Sequence, residues 1–506
     1  MKSTALDRLI GYLDPGRGYR RLQARRALDL VETRLATRGY DMAGKGRRGA
    51  DWLTQSTSAN TEIQTSLVLA RDRHRDLRRN NPWAKRAIEA ITTNTVGYGI
   101  TGEIKVNGRE SPTVNKRWQA WAEASTCDAD GQHDLFGLQA LIMTTVAESG
   151  ECLIRRRMRR LQDGYPTPLQ LQVMEPDYLD HSKTQQLPNG GRIVQGVEFD
   201  PIGGRVAYWL FRTHPGDPLG NPGPSYRVPA SEIAHVFRVD RAGQVRGMPW
   251  GAAVGTTLRD LDDYEDAYLF RNKLANCLMG FVYDHAAGLD GGTTTSPLPE
   301  TMEPGLIAQL PSGKDIKFAA PPATDSYGPF VSQLLYRIAS GYGITYQALT
   351  GDLRSVNFSS GRMGWLEMQR NIDTWRWLML IPQGLAKIAN WWIEADALAL
   401  GQVPGAAVHW TPPRREMIQP AEEVAALKDA VRSGITSLPE VHREFGANTR
   451  AVLREIADTN KQLDKLGIVL DSDPRKTSNT GINQAAKPAA APAAAEPAQP
   501  SSEDEA

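Results

Sequence analysis

Residues 254–280 read VGTTLRDLDDYEDAYLFRNKLANCLMG, the longest uninterrupted helical pattern in the chain. Apolar and aromatic side chains recur at three- and four-residue steps, the period of one helix face: Leu258, Leu261, Tyr264 and Tyr268. At a rise of about 1.5 Å per residue this helix would be roughly 35–40 Å long. Acidic residues crowd two of its turns: Asp260, Asp262, Asp263, Glu265 and Asp266. Arg271 and Lys273 follow near the C-terminal end, a polarity that complements the helix dipole.

The chain before this helix predicts helices first and strands later. Helical spacing marks residues 83–95, 114–123 and 135–148. Strand-like segments follow at 152–156, 169–174, 193–199, 207–211, 227–229 and 233–239. Turns rich in Gly and Pro, such as Asn189-Gly190-Gly191, separate these segments. Because short turns join antiparallel neighbours, the sequence predicts an α+β domain with mostly antiparallel strands.

The chain after the long helix predicts a small β unit followed by further helices. Short strands at 306–310 and 316–318 flank a turn at 311–313. Residues 327–341 are predicted to be helical, 351–361 to form a polar loop, and a Trp-rich helical run to follow. Three helices are predicted at 420–432, 438–446 and 449–465. From about residue 472 the Ala- and Pro-rich sequence cannot offset the entropy of ordering, so we expect disorder there.

Composition limits the classes of protein that remain. The 506 residues include 59 Lys and Arg against 58 Asp and Glu, which argues against a positive coat for wrapping nucleic acid. The three cysteines (Cys127, Cys152 and Cys277) are far apart, which fits a reducing compartment. No segment approaches the roughly 18 consecutive apolar residues of a membrane-spanning helix. Residues 1–50 are basic, and we interpret them as a solvated arm.

Motifs for phosphate or metal binding fail at decisive positions. Residues 39–45 match a P-loop, but Gly46 stands where the magnesium-binding hydroxyl is required. Residues 97–102 match a dinucleotide fingerprint, but a helix precedes them instead of a strand, so we predict a glycine hinge. Residues 128–131 lack the later glutamate of a calcium loop. We therefore expect no catalytic residue, no cofactor and no metal ion.

Several carboxylates near strand ends leave an enzyme as an alternative. They are Glu148, Glu151, Glu175 and Asp177. Paired carboxylates can hold a metal ion or act as general acid and base, although two acids alone do not establish either role. A metal-dependent nuclease or hydrolase is therefore the second hypothesis.

Short motifs follow one another in a characteristic order almost to residue 470. They are 80–84 (NNPWA), 97–100 (GYGI), 148–151 (ESGE), 171–179 (LQVMEPDYL), 196–200 (GVEFD), 228–230 (VPA), 233–237 (IAHVF), 241–250 (RAGQVRGMPW), 303–305 (EPG), 351–352 (GD), 357–360 (NFSS) and Arg362. Each motif is weak alone, but in this order they are fairly specific. The sequence resembles the lambda-type portal proteins of tailed bacteriophages.

The resemblance implies a subunit with an α+β wing, long stem helices, a small β-containing clip and a helical crown, assembled into a ring. On this chain the implied segments are a basic N-terminal arm (1–50), wing (51–252), first stem helix (253–278), clip (279–326), second stem helix (327–345), channel loop (346–361), wing helices (362–410), crown (411–471) and disordered tail (472–506).

The resemblance also implies a structural function rather than catalysis. Such a ring, typically of twelve subunits, sits at one capsid vertex of the virion after assembly in the host cytoplasm, and double-stranded DNA enters and leaves through its axis. The implied partners are the terminase large subunit, the major capsid or scaffold protein and a head-completion or adaptor protein, with no membrane.

Two sets of residues are expected to carry this function. The DNA channel would be lined by Asp260, Asp262, Asp263, Arg354, Asn357 and Arg362. Terminase or connector docking would involve Pro311, Lys314 and Lys317. A capsid adaptor that is not a portal remains the third hypothesis beside the enzyme.

Overall fold

The computed structural model describes parts of 10–28, then 56–276, 280–284, 314–318, 327–354, 356–401, 405–413, 417, 419–447, 449–470, 473 and 475. The chain divides into two compact units, residues 1–62 and residues 63–506. In the first unit, the described residues between Tyr12 and Leu28 are nearly all helical. Most of the predicted arm, the P-loop-like residues 39–45 and the predicted tail from residue 476 lie outside the described residues.

The first elements are mainly helical. They are α1 (Ala59–Asn80), α2 (Pro82–Val96), β1 (Thr101–Val106), β2 (Arg109–Glu110), α3 (Pro112–Ala122) and α4 (Leu135–Ser149). Asn81 caps α2, because its Oδ1 accepts the backbone N–H of Ala84 at 2.9 Å and Pro82 occupies the first helical turn. At the other end of α2, buried Arg376 donates to the carbonyls of Thr95 and Asn94 at 2.6 and 2.8 Å. These contacts satisfy backbone groups that a helix end leaves unpaired.

The predicted glycine hinge at 97–102 is confirmed. Helix α2 ends at Gly97, which has φ +55°, and β1 begins at Thr101. Gly99 has φ +117°, and a Cβ there would lie 2.2 Å from Cδ1 of Phe136. The glycine therefore lets the chain pass close to an aromatic ring.

Strands dominate the next part of the chain. They are β3 (Glu151–Met158), β4 (Leu169–Met174), β5 (Gln185–Gln186), β6 (Arg192–Val194), β7 (Val197–Phe199), β8 (Arg205–Leu210), β9 (Tyr226–Pro229) and β10 (Ile233–Phe237). One sheet has the order β10-β3-β4 and another β5-β6-β7-β8-β9. The strand pairings within these two sheets are antiparallel, as the short turns predicted.

One predicted strand is a hairpin. Residues 193–199 were predicted to be continuous, but β6 and β7 pair with each other across a turn at Gln195 and Gly196. Both turn residues have positive φ, +50° and +84°. This backbone conformation suits a two-residue hairpin turn, and Gly196 is the signal that the sequence offered.

The long helix and its successor form a pair. Helix α5 (Gly255–Asn276) is followed by β11 (Gly280–Asp284), β12 (Lys314–Phe318) and α6 (Tyr327–Tyr342), and β11 pairs with β12. Leu258 and Leu261 of the predicted apolar face are fully buried. The rings of Tyr268 and Tyr327 stack at 4.3 Å and join α5 to α6. The helix is shorter than predicted, because residue 280 already belongs to β11, and the predicted strand at 306–310 lies outside the described residues.

The next segment differs from the prediction in two places. It contains α7 (Tyr346–Thr350), α8 (Phe358–Trp375), a π-helix (Arg376–Leu385), α9 (Ala386–Leu400) and β13 (Ala406–Thr411). The predicted loop at 346–361 shrinks to 351–357, because Thr345 caps α7 and Asn357 forms a capping box with Ser360 at the start of α8. The predicted helical segment 362–410 ends in β13, which pairs with β1 in a sheet of order β13-β1-β2.

The last helices are α10 (Pro420–Arg432), α11 (Leu438–Glu444) and α12 (Thr449–Leu466), close to the predicted bounds. The main apolar core lies elsewhere, between α2–α6, α8, α9 and the β10-β3-β4 sheet, and it includes edge-to-face packing of Trp118 on Trp392 at 5.3 Å. Arg117 and Asp396 tie α3 to α9 through two hydrogen bonds of 2.9 and 2.6 Å. Within the described residues, every helix is too short or too polar to cross a bilayer.

Candidate functional site

A carboxylate without exposed surface lies at the start of β3. Arg246 donates to Glu151 from Nη2 at 2.5 Å and from Nε at 2.8 Å. His235 Nε2 lies 2.9 Å from the carboxylate, the backbone N–H of Gly247 donates at 3.0 Å, and Arg71 Nη2 lies 3.6 Å away. All of these side chains are nearly or fully buried. We call Glu151, Arg71, His235 and Arg246 the Glu151 cluster.

The protonation of this cluster follows from its geometry. Arg205 Nη1 lies 3.1 Å from His235 Nδ1, and a guanidinium can only donate. Nδ1 of His235 therefore accepts, and Nε2–H donates to Glu151, so the imidazole is neutral. Burial lowers the pKa of His235 to about 4 against the opposing effect of Glu151. Burial alone would raise the pKa of Glu151, but the charge of Arg246 and the hydrogen bond from His235 hold that pKa far below its ordinary value.

A second layer of ion pairs surrounds the cluster. Asp177 lies 3.2 Å from Arg71 Nη1 and 2.6 Å from Arg75 Nη2. The same Nη2 donates to Glu175 at 2.7 Å. Burial would raise the pKa of Asp177, yet the charge of Arg71 and the hydrogen bond from Arg75 keep the pKa below its usual value. The layer therefore consists of carboxylates held ionised by arginine.

One face of α1 supplies three arginines and a buried histidine, and burial lowers the pKa of that histidine. Its members recur at three- and four-residue steps: Arg71, His74, Arg75 and Arg78. Arg78 donates to Glu148 at 2.8 Å, and His74 Nε2 lies 2.7 Å from the hydroxyl of Tyr342. The sequence interpretation found no helix at 56–80, because most of its residues are polar. The buried positions Ile63, Leu67 and Arg71 recur at four-residue steps, and this spacing was the signal that could have revealed the helix.

The carboxylates of the enzyme hypothesis all engage arginine. Glu148 pairs with Arg78, Glu151 with Arg246, and Glu175 and Asp177 with Arg75. Among the described residues, the only group of three potential metal ligands is Glu175, Asp177 and His214. The guanidinium of Arg75 lies within 2.7 Å of both carboxylates of that group, where a metal ion would otherwise bind. The arrangement therefore favours a network of ion pairs over a metal centre. We call the ion pairs of Glu148, Glu151, Glu175 and Asp177 with arginine the clamp.

The clamp joins segments that are far apart in sequence. Residues 148–151, 175–177, 233–237 and 241–250 each contribute a contact to it. Two glycines permit the close approach. A Cβ at Gly150 would lie 2.4 Å from the carbonyl carbon of Met248, and a Cβ at Gly247 would lie 2.1 Å from the carbonyl oxygen of Gly150. The short motifs thus meet at one buried site.

The acids of α5 divide into two groups. Asp260, Asp263 and Asp266 are exposed, and at about 100° per residue they cover roughly one third of the helix circumference. Asp263 has a long contact of 4.0 Å with Arg259, and both side chains are largely exposed. We call Asp260, Asp263 and Asp266 the acidic face.

The other two acids pack inside the chain. Asp262 is half-buried, and its Oδ1 accepts from Nδ2 of Asn81 at 2.8 Å, the residue that caps α2. Glu265 lies 3.5 Å from the hydroxyl of Tyr327 on α6. Burial and the charge of Asp262 raise the pKa of Glu265. The structure therefore gives Asp262 an intramolecular partner that the sequence analysis did not foresee.

The loop at 351–357 is also more internally bonded than its sequence suggested. Arg354 donates to Asp352 of the same loop through Nε and Nη2, both at 2.9 Å. Hydrogen bonds from the Arg354 side chain and backbone lower the pKa of Asp352 to about 2. Asn357 Oδ1 accepts the backbone N–H of Ser360 at 2.8 Å. Arg362 is exposed on the second turn of α8.

The family model for phage portal proteins of the lambda family matches residues 45–376. The chain belongs to this family. The match covers the Glu151 cluster, α5, α6 and the loop at 351–357. Function as a phage portal protein, inferred above from the motifs, is confirmed.

A curated relative agrees with this assignment. A probable portal protein of Halomonas phage phiHAP-1 is 26% identical over 461 residues, which cover 85% of this chain and 88% of that protein. Among solved structures, a chain in the neck of a native gene transfer agent particle is 15% identical with a TM-score of 0.45, covering 80% of this chain and 99% of that chain. A portal protein of the HK97 family from Corynebacterium diphtheriae is 11% identical with a TM-score of 0.30, covering 74% and 99%.

Membership makes the chain a structural component of the phage particle. The portal family is not an enzyme family, in keeping with carboxylates that are engaged by arginine. Of the predicted docking residues, Lys314 and Lys317 lie on β12, opposite Asp284 and Phe281 of β11. Pro311 lies outside the described residues.

Proposed function

We propose that this portal protein forms a closed ring of about twelve copies at one capsid vertex, with double-stranded DNA passing along its axis. The observation that carries the proposal is the acidic face of α5, within a chain that belongs to the portal family. Asp260, Asp263 and Asp266 project from one side of a helix that α6 supports from another. We assign this face to the DNA channel, together with Arg354 and Arg362.

The acidic face suits a conduit for a moving polyanion. A protein that neutralises phosphates binds DNA tightly, and each such contact would retard the duplex. A single pair of unit charges about 4 Å apart in water contributes only about 1 kcal/mol. In a ring every charge that faces the channel is repeated once per subunit. The weak repulsion between one carboxylate and the DNA phosphates therefore acts all around the channel. The proposed lining leaves out Asp262, which is half-buried and bonded to Asn81, and Asn357, whose Oδ1 caps α8.

We assign the segments of the portal as the family resemblance implies. The body built on the Glu151 cluster is the wing, α5 and α6 are the stem, residues 279–326 are the clip, and α10–α12 are the crown. Double-stranded DNA, the terminase large subunit, a capsid or scaffold protein and a head-completion protein are the proposed partners. Assembly in the host cytoplasm would precede incorporation into the virion.

Electron microscopy of the purified chain tests the ring directly. End-on views should show rings with a central hole, and mass photometry should give one discrete assembly. Compact monomers that hydrolyse nucleic acid only with a divalent metal ion would support the enzyme hypothesis instead.

Docking at the clip is tested by charge reversal. We expect Lys314→Glu with Lys317→Glu to leave the ring intact and to weaken binding of the terminase large subunit. Lys116→Glu, at an exposed position on α3, serves as the matched control. Terminase affinity that is unchanged relative to this control would contradict the placement of docking on β12.

A further inference from the structure

The outer end of strand β3 carries a row of arginines on one face. Alternate residues of a strand point to the same side, so the side of Leu153 continues as Arg155, Arg157 and Arg159. Arg159 directly follows the strand, and its backbone N–H still donates to the carbonyl of Pro168 at 2.9 Å. Burial decreases along the row, from the fully buried Leu153 to the exposed Arg159. The row therefore leads from the core to the surface.

The hydrogen bonds of these three arginines go to neutral groups. Each guanidinium donates to a hydroxyl or an amide oxygen: Arg155 to Tyr226, Arg157 to Gln172 and Arg159 to Gln170. Among the described residues, no carboxylate forms an ion pair with any of the three. Arg156 lies on the other face of the strand and differs in this respect, because it pairs with Glu394 at 2.6 Å. The lack of counter-charge is thus specific to one face of β3.

A fourth arginine extends this basic surface. The guanidinium carbon of Arg212 lies 5.3 Å from the centre of the Tyr226 ring, and that of Arg155 lies 5.6 Å from the same ring. Two cations therefore share one aromatic ring. Arg212 is exposed, and it too has no ion pair with a carboxylate of the described residues. We call Arg155, Arg157, Arg159 and Arg212 the arginine strip.

The strip is electrostatically unbalanced. Partial burial and the charges of Arg155 and Arg159 lower the pKa of Arg157. The acid that opposes this effect is Glu232, which acts from beyond ion-pair distance. Nε of Arg155 is buried and has no acceptor among the described residues. Cations that are partly removed from water without a counter-charge cost free energy, so an anion from outside would stabilise the strip.

The length of the strip indicates the kind of anion. From Arg155 to Arg159 the backbone extends about 13 Å, at about 3.3 Å per residue. The same length of duplex DNA carries about eight phosphates, and roughly half of them lie on any one side. A guanidinium is a planar donor whose geometry matches phosphate oxygens. A duplex therefore offers about as many anions as the strip has guanidiniums.

The acidic runs of the chain itself fit the strip less well. The acids of the acidic face spread over about one third of the circumference of α5, so they cannot all meet one straight row. The other run, residues 503–505 (EDE), consists of consecutive acids. Consecutive side chains leave a helix or a strand in different directions. Each run would bring fewer carboxylates to the strip than a duplex brings phosphates.

We propose that the arginine strip binds the phosphate backbone of double-stranded DNA on the wing, outside the channel. This proposal rests on the proposed function, which brings DNA to the ring and assigns β3 to the wing. The two charged surfaces would then act in opposite ways. The acidic face lets DNA slide through the stem, whereas the strip holds DNA that lies against the wing. Binding would not depend on DNA sequence, because contacts to phosphates carry no base information.

Binding of a covalently closed circular duplex to the assembled protein tests the strip. A closed circle cannot thread a channel that admits one duplex, so it reports on the outer surface alone. The test variant is Arg159→Gln with Arg212→Gln, and the matched control is Arg73→Gln with Arg79→Gln on α1. All four positions are exposed, so folding should be preserved, and thermal unfolding checks this. The dissociation constant is measured over a range of salt concentrations.

We expect the test variant to bind the circle more weakly than the control. Each phosphate contact contributes about 0.9 to the slope of log affinity against log salt, so the slope should be smaller by about 1.8. A second pair of variants compares the two faces of β3. Arg157→Gln should weaken binding, whereas Arg156→Gln should have little effect because Glu394 already neutralises that charge.

Three results would overturn the inference. The first is a parent protein that does not bind the circle, or equal salt slopes in the test and control variants; rings seen by electron microscopy would then leave the proposed function standing. The second is displacement of the circle by polyglutamate at an equal concentration of charge, which would show that the strip accepts carboxylates equally well. The third is binding that depends on the strip only after residues 501–506 are removed, which would show that the acidic end of the chain occupies it. A chain that stays monomeric contradicts the ring, and its salt slopes still decide whether the strip binds DNA.

Discussion

The Glu151 cluster and the acidic face of α5 are both rich in charge, but they use it differently. Around Glu151, arginines from α1 and the 241–250 loop neutralise a buried carboxylate on β3, and the neutral His235 of β10 donates a hydrogen bond to it. Along α5, Asp260, Asp263 and Asp266 face solvent. The density of acids in a sequence therefore does not reveal their role. Their role depends on whether another element brings cations to them.

The two regions also differ in how much the fold depends on them. Removing one member of a buried ion pair leaves an uncompensated charge, which costs several kcal/mol. Removing an exposed acid usually changes the free energy of unfolding by less than about 0.5 kcal/mol. Substitutions in the Glu151 cluster should therefore change mainly stability, and substitutions on the acidic face should change mainly function.

The largest effect should come from Glu151→Gln. Arg246 would then lie buried without its carboxylate, while Arg71 would keep only Asp177, so we expect the free energy of unfolding to fall by about 3–5 kcal/mol. Urea denaturation at one fixed protomer concentration measures this change, because assembly itself adds stability.

Glu175→Gln is the matched control for that substitution. Glu175 belongs to the same network but is 51% exposed, so its loss should cost no more than about 1 kcal/mol. Equal losses at the two positions would show that burial does not separate the inner cluster from the outer layer.

The next effect is a dependence of stability on pH. The folded-state pKa of His235 is about 4, below its ordinary 6.5, so between these values the unfolded chain binds a proton that the folded chain does not. Stability is then lost as the pH falls through this window, by about 2 kcal/mol between pH 7 and pH 5. The charged groups around the imidazole are Glu151, Arg205 and Arg246. The folded-state pKa of Glu151 is lowered, so the stability that its ionised form contributes is lost only at a pH below this window.

His235→Gln isolates that contribution. Glutamine can donate and accept like the neutral imidazole, but it does not titrate. Thermal unfolding between pH 7 and pH 5 should therefore show a flatter dependence in the variant. If the dependence of thermal unfolding on pH is the same in the variant, other groups cause the loss of stability in acid. Protonation of His235 would then not destabilise the folded chain.

Periodicity made most of the fold predictable. The α5 face of Leu258 and Leu261 and the antiparallel strands follow from local spacing and turn residues, and the structure has them. The pairing of β13 with β1 joins residues about 300 positions apart, and local spacing cannot predict it. Helix α1 was missed because its buried stripe passes from Ile63 and Leu67 to Arg71, so the apolar period stops half-way along the helix.

The site was predictable in part for the same reason. The motifs at 148–151 and 241–250 were recognised separately, but their meeting at Glu151 depends on the folded topology. Asp262 and Asp263 are neighbours in sequence and equivalent by composition. Only the position of Asn81, which is set by the break between α1 and α2, distinguishes them.

A smaller effect should follow from Asp262→Ala. The substitution removes the acceptor of Asn81 Nδ2 and loosens the residue that caps α2, so we expect a loss of about 1 kcal/mol. Asp263→Ala at the adjacent position is the control and should change stability by less than about 0.5 kcal/mol. Chemical denaturation of both variants measures the difference. If the two variants lose equal stability, the division of α5 into packed and exposed acids is wrong.

The smallest effect on stability, and the largest on the proposed function, should come from Asp263→Lys. The side chain is exposed, so unfolding should be nearly unchanged, but each copy gains two positive charges, or roughly 24 in a ring of about twelve. Attraction to phosphates would then slow the duplex, and salt should relieve it because the Debye length is about 10 Å at 0.1 M. Packaged DNA length measured against ionic strength should therefore fall in this variant and recover in part at higher salt. Glu89→Lys, an exposed charge reversal on α2, should package normally. If Asp263→Lys instead prevents ring formation, Asp263 belongs to a contact between subunits, and the acidic face does not line the channel.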